Sequence, residues 1–118
     1  MQYLGDVMGY TYRLLKREFS FLHDIYGLVI CRYQKSGAYY YIAWENKNVE
    51  ITVVYDEREH NPLKILVHDK KSSKTILDAT EFVDEISCDC KKERGKIEYA
   101  AKWLKEAISM KQIKCMIE

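Results

Sequence analysis

Between Leu28 and Asp56 the chain alternates outward and inward side chains with a period of two, through two tight turns that agree with each other. Three segments read as strands, Leu28–Lys35, Ala38–Glu45 and Val49–Asp56, and a fourth follows at Leu63–Asp69. Ser36-Gly37 suits a two-residue hairpin, with glycine taking a positive φ, and Glu45 to Asn48 forms the second turn. These turns pair Tyr33 with Tyr40, Cys31 with Ile42 and Val29 with Trp44, then Trp44 with Val49, Ile42 with Ile51 and Tyr40 with Val53. Both registers place Val29, Cys31, Tyr33, Tyr40, Ile42, Trp44, Val49, Ile51, Val53 and Tyr55 on one face. A one-residue slip in either turn would scatter this set, so the pattern itself selects an antiparallel meander. The other face receives Leu28, Ile30, Arg32, Tyr39, Tyr41, Ala43, Glu50, Thr52, Val54 and Asp56.

Helical spacing brackets the strands. Leu4, Val7, Met8, Thr11, Leu14, Leu15, Phe19, Leu22, Ile25 and Tyr26 recur at intervals of three and four. Gly5 and Gly9 weaken the first turns, which moves the firm start to about Tyr10, and Ser20 is positioned to cap a separate short helix from Phe21 to Tyr26. Gly27 supplies a stop. Lys70 to Lys74 reads as a polar loop, and Thr75 to Ile86 is ambiguous between strand and helix spacing, with Thr80 placed to cap a short helix carrying Phe82, Val83 and Ile86. Ser87 to Gly95 reads as a charged loop. From Lys96 to about Ile113, residues Ile97, Ala100, Ala101, Leu104, Ala107 and Ile108 mark a second amphipathic helix. The expected fold is α+β, a four-stranded antiparallel meander flanked by an N-terminal and a C-terminal helix, in one domain over residues 1–118.

Composition limits the function classes. With 47% hydrophobic and 31% charged residues the chain is an ordinary globular sequence, long enough at 118 residues for one core without staples. Nineteen basic and eighteen acidic side chains leave a net charge of +1, which argues against a dedicated nucleic-acid or anionic-membrane binder. No run approaches the ~20 apolar residues of a membrane span, and Met1 to Arg17 lacks the layout of a secretory leader. The four cysteines, Cys31, Cys88, Cys90 and Cys115, are too few and uneven for a disulfide framework, so the expected compartment is the reducing cytoplasm.

Catalytic signatures are sparse. The glycines are isolated, with no phosphate-binding loop, nucleophile elbow or zinc-protease motif. Cys88-x-Cys90 lacks the second pair that a structural zinc needs, and no metal or cofactor is expected. His23, His60 and His68 are well separated, with no marked nucleophile for any to serve. Asp56 and Glu57 could act in a small hydrolase or nuclease, whereas Arg58 beside them suits a solvated strand end. Lys91 to Lys96 is basic but lacks interleaved aromatics for stacking bases.

Tyrosine occurs ten times, and its apolar body with a polar tip suits half-buried sheets and contact surfaces. Tyr39-Tyr40-Tyr41 sends its outer members to the second face. If both helices cover the first face, then Tyr39, Tyr41, Ile30 and Val54, with Arg32 and Asp56 around them, form a protein-binding surface. If one helix covers each face, both are buried. Two helices suffice for either arrangement.

Phe19-x-Phe21-Leu22, Tyr26-Gly27-Leu28 and Val49-x-Ile51-x-Val53-x-Tyr55-Asp56-x-Arg58 together resemble a pattern in small bacterial proteins of unassigned function. Some of these are similar to immunity proteins of polymorphic or contact-dependent toxin systems. The resemblance covers about the first half of the chain. It implies a compact cytoplasmic inhibitor that binds a toxin without chemistry of its own, and it carries over no functional residue. The expected function is therefore a non-enzymatic protein-binding module. The alternatives are a structural or homodimeric assembly subunit and the hydrolase built on Asp56 and Glu57.

Overall fold

The computed structural model describes residues 2–58, 63–78 and 93–110. Helix α1 (Gln2–Glu18) runs into a short α2 (Phe21–Asp24). Five strands follow, β1 (Val29–Ser36), β2 (Tyr39–Glu45), β3 (Val49–Asp56), β4 (Leu63–Asp69) and β5 (Lys74–Asp78). Helix α3 (Glu93–Met110) comes last. The strands form one antiparallel sheet in the order β1-β2-β3-β4-β5. The fold class is thus α+β with an antiparallel meander, and the expected four strands are five. The fifth lies where a polar loop and an undecided segment were expected. The helix expected after Thr80 and the loop from Ser87 to Lys92 lie outside the described residues.

Side-chain spacing explains how the helices attach. In α1, Thr11, Leu14 and Leu15 are buried while Tyr10, Arg13, Lys16 and Arg17 face water, a stripe of helical period. The helix backbone runs through Gly5 and Gly9 to Gln2, earlier than propensity suggests. Ser20 occupies the N-cap position of α2 but keeps a helical backbone and makes no side-chain cap bond. Gly27, at φ +72°, reverses the chain, with backbone bonds Gly27 N–H to His23 O (2.9 Å) and Leu28 N–H to Leu22 O (3.0 Å) closing the corner. Helix α3 starts at Glu93 and buries Ile97, Ala100, Ala101, Leu104, Ala107 and Ile108, the set its sequence period marks.

Both turns differ from the expected ones by the same amount. Gly37-Ala38, not Ser36-Gly37, forms the first loop, with Gly37 at φ +60° and Ser36 opposite Tyr39. In the second, Asn46 Oδ1 accepts from the N–H groups of Asn48 (2.8 Å) and Val49 (2.9 Å), and Glu45 pairs with Glu50. Each register is displaced by two residues. Because side chains alternate with period two, a displacement of two exchanges partners but leaves every residue of β2 and β3 on its expected face. The observed four-strand rows on the inner face are Lys35-Tyr40-Tyr55-Leu63, Tyr33-Ile42-Val53-Ile65 and Ile30-Trp44-Ile51-Val67.

The face assignment fails only in β1. The register shifts between Ile30 and Arg32, so Cys31 is an extra residue, a β-bulge. Before the bulge the alternation inverts, so Ile30 lies opposite Trp44 on the inner face and Val29 lies opposite Glu45 on the outer face, 53% exposed. The expected placement of Ile30 on the outer face, and of Val29 and Cys31 on the inner one, is corrected accordingly. Leu28, also expected outside, is fully buried.

One hydrophobic cluster unites α1, α2, the inner sheet face and α3, centred on Phe19, Trp44, Ile51, Ile65, Ile97 and Leu104. Phe19 and Trp44 stack at 5.9 Å between ring centroids, and α1 packs against α3. Each such side chain contributes about 1.5–3 kcal/mol on burial. All strand members of the cluster from β2 to β4 belong to one parity, so both long helices cover the same face. No helix among the described residues is long and apolar enough to cross a membrane.

Candidate functional site

Since α1 and α3 share the inner face, the outer face of the sheet is the surface that its own alternation leaves to other uses. Its cross-strand rows are Ser36-Tyr39-Asp56, Gln34-Tyr41-Val54-Lys64, Arg32-Ala43-Thr52-Leu66 and Val29-Glu45-Glu50-His68. Directly opposed residues sit with Cβ atoms roughly 5 Å apart, so Tyr41 and Val54 are in contact range, and Leu66 is the diagonal neighbour of Val54. Of the residues expected at a partner-binding site, Tyr39, Tyr41, Val54, Arg32 and Asp56 share this face, and Ile30 does not. Tyr39, Tyr41, Val54 and Leu66 are half-buried, while Ala43 and Thr52 between them are buried. An aromatic and aliphatic strip therefore crosses the middle of the face, with charged groups at both ends.

The bulge builds the first charged end. It sets Cys31 beside Arg32, where the thiol donates to the Ala43 carbonyl (3.5 Å) and to Glu50 Oε2 (3.8 Å). Arg32 donates to the same Glu50 carboxylate, and Lys70 donates to Glu45 Oε1 at 2.6 Å. The Tyr41 phenol first, and Glu50 second, raise the Arg32 pKa above its ordinary value. The hydrogen bond from Lys70 holds the Glu45 carboxyl below the usual range. Burial, then the charges of Glu45 and Glu50, push the Cys31 thiol up, so it stays protonated and acts as a donor.

Ligand atoms of Cys31, Glu45 and Glu50 lie within 4.8 Å of one another, a spacing that could suit a metal ion. The charge balance points elsewhere. Two carboxylates are matched by Arg32 and Lys70, and the thiol would have to lose a proton it holds more tightly than usual. What the cluster does well is fix Arg32 and Tyr41 in a definite arrangement at the edge of the apolar strip.

Asp56 marks the second end. Its carboxylate accepts from Arg58 Nε and Nη2, both at 2.9 Å, and from the Arg58 backbone N–H at 3.1 Å. Those bonds lower its pKa, the Arg58 side chain first. A hydrolytic site would also need a histidine nearby. His68 belongs to the row of Glu50, which at about 3.4 Å per residue is roughly 20 Å along β3 from Asp56. His23 is at α2, bonded through Nδ1 to the Leu28 carbonyl at 3.0 Å, and His60 lies outside the described residues. The described residues bring no histidine to Asp56 and Glu57.

A second concavity lies on the helix side. Lys16, Ser20, His23 and Asp24 from the α1–α2 corner face Leu28, Val29, Ile30 and Trp44 across a slot of about 330 Å³. Nothing in the hydrophobic periodicity announces it, because the bulge, by turning Ile30 inward, makes one of its walls. The one available signal was Lys16, Ser20 and His23 recurring at helical spacing beside a glycine reversal. Comparison of the chain with protein-family models, curated proteins and solved structures finds no match.

Proposed function

We propose that this protein is a non-enzymatic binding module that docks a protein partner on the outer face of its sheet. The observation that carries this reading is the placement of both long helices on the inner face, with Tyr39, Tyr41 and Val54 on the other between two charged clusters. Aromatic anchors at the centre of a patch with a charged rim are the usual energetic layout of a protein interface. Arg32, with its head 57% exposed, and Arg58, 67% exposed, stand where rim charges steer encounter. The more specific form of the proposal is an immunity protein that neutralises a toxin, supported by the sequence resemblance.

The test is quantitative affinity capture from the source cell with wild-type protein and a Tyr39→Lys/Tyr41→Lys double variant. Both residues are half-buried on the outer face, away from the core cluster, so circular dichroism and melting should be little changed. Loss of an anchor costs about 2 kcal/mol or more, roughly a thirtyfold weakening, so the partner should vanish from the variant's eluate. Equal recovery by both proteins would refute the site. A dimeric mass that becomes monomeric in the variant would make a second copy of this chain the partner.

A further inference from the structure

The slot between the α1–α2 corner and the β1–β2 edge has apolar walls and a rim of unmatched polar groups, and the two together specify a ligand. Val29 and Ile30 form its accessible apolar wall, over the buried Leu28 and Trp44. At about 30 Å³ per water, its volume of about 330 Å³ equals roughly eleven waters, the lower end of small-molecule sites. On the rim, Lys16 and Asp24 are both solvent-exposed, and neither makes an ion pair or hydrogen bond with another described residue. The Ser20 hydroxyl, which leaves the N-cap bond of α2 unmade, faces the same space. His23 is held by its bond to the Leu28 carbonyl. A carbonyl only accepts, so Nδ1 carries the proton, and in the neutral ring Nε2 is an acceptor.

The rim therefore offers donors in Lys16 and Ser20 and acceptors in Asp24 and His23. An apolar anion would satisfy Lys16 but meet the Asp24 carboxylate, and an apolar cation would have the opposite conflict. A zwitterion with an apolar tail matches both charges. We propose that this slot binds a free α-amino acid with a large aliphatic or aromatic side chain. The tail lies against Val29 and Ile30, the carboxylate on Lys16 and Ser20, and the ammonium on Asp24 and His23. The slot is on the helix side of the sheet and does not depend on how the outer face is used.

Calorimetric titration of the intact protein with L-leucine, L-phenylalanine and L-tryptophan tests this, with 4-methylpentanoate and isopentylamine as leucine analogues lacking one charge each. At least one amino acid should bind saturably, with amide shifts centred on Ser20, His23 and Leu28. Leucine should bind at least about tenfold tighter than either analogue, a difference of about 1.4 kcal/mol. Lys16→Met should erase the preference for leucine over isopentylamine, and Asp24→Asn the preference over 4-methylpentanoate. Both are exposed positions, so the fold should survive either change. No saturable binding of the three amino acids at millimolar concentration would overturn the proposal. So would equal affinity for leucine and both analogues, or shifts centred outside the slot.

Discussion

Tyr33 should be more useful to the fold without its hydroxyl. It stands on the inner face opposite Ile42, with its ring 4.1 Å from that of Tyr12, and its phenolic oxygen is buried without a hydrogen-bond partner among the described residues. Burial, then the neighbouring Tyr12 and Tyr40, raise its pKa, which fits a hydroxyl taken out of water. An unsatisfied buried polar group costs about 1–3 kcal/mol. Tyr33→Phe removes that group and keeps the ring contacts. The space left, about the size of one oxygen, returns only ~0.3 kcal/mol at ~24 cal/mol per Å³. The net expectation is a gain of about 1 kcal/mol. For a chain of this size that is a rise of about 4 °C in Tm, or about 0.7 M in the urea midpoint at m near 1.5 kcal/mol/M. Equilibrium urea unfolding followed by circular dichroism would measure it, with m required to stay constant. Tyr10→Phe is the control, because that ring is 54% exposed and its hydroxyl is already in water. A loss of about 1 kcal/mol or more in Tyr33→Phe would refute the reasoning, since it would mean that the hydroxyl holds a buried water.

Two further outcomes follow from the charged end of the outer face. The folded Glu45 carboxyl titrates below its unfolded value because Lys70 donates to it, so the pair adds stability above the unfolded carboxylate's pKa and loses it as pH falls through the folded one. Wild-type protein should therefore exceed Glu45→Gln in stability by a constant margin above about pH 5, and the margin should shrink on acidification below about pH 4.3 in paired melts; a margin independent of pH would count against the Lys70 bond. Cys31, with Cys88, Cys90 and Cys115 replaced by serine, should react with iodoacetamide on a pH profile displaced above that of free cysteine, near 8.5, and Glu50→Gln should move it part of the way back. A profile at or below the free value would show that the thiol does not feel the two carboxylates.

Face membership could be read from the sequence of β2 and β3 because it depends only on parity, and both turn registers differed from expectation by an even number. The pairs themselves depended on turn chemistry that composition leaves open. Gly37 could stand first or second in its loop, and the side chain of Asn46 moved the second turn one residue along the chain. Strand β5 was hidden because the Asp69 carboxylate accepts from the Lys71 N–H (3.2 Å) and the Ser72 hydroxyl (2.8 Å), making a compact turn from a run that looks merely polar. For the outer-face site, Tyr39, Tyr41, Val54, Arg32 and Asp56 were legible by alternation alone. Its network of Cys31, Glu45, Glu50 and Lys70 was not, since it needs the bulge and a residue brought in after β4.

The bulge at Cys31 also changes which kinds of mutation matter in β1. Upstream of it the strand runs half a period out of phase with the rest, so the loss of one residue there can be absorbed without a change of face. Removing the single residue Cys31 would bring the strand back into step. Ile30 would stay opposite Trp44 and Val29 opposite Glu45, now in unbroken alternation with Arg32. One deletion would thus spare the wall of the slot and, by removing the thiol beside Glu50, change the corner of the outer face, leaving the pattern of β2 and β3 untouched. Two surfaces on opposite sides of one sheet are in this way separable at a single peptide unit.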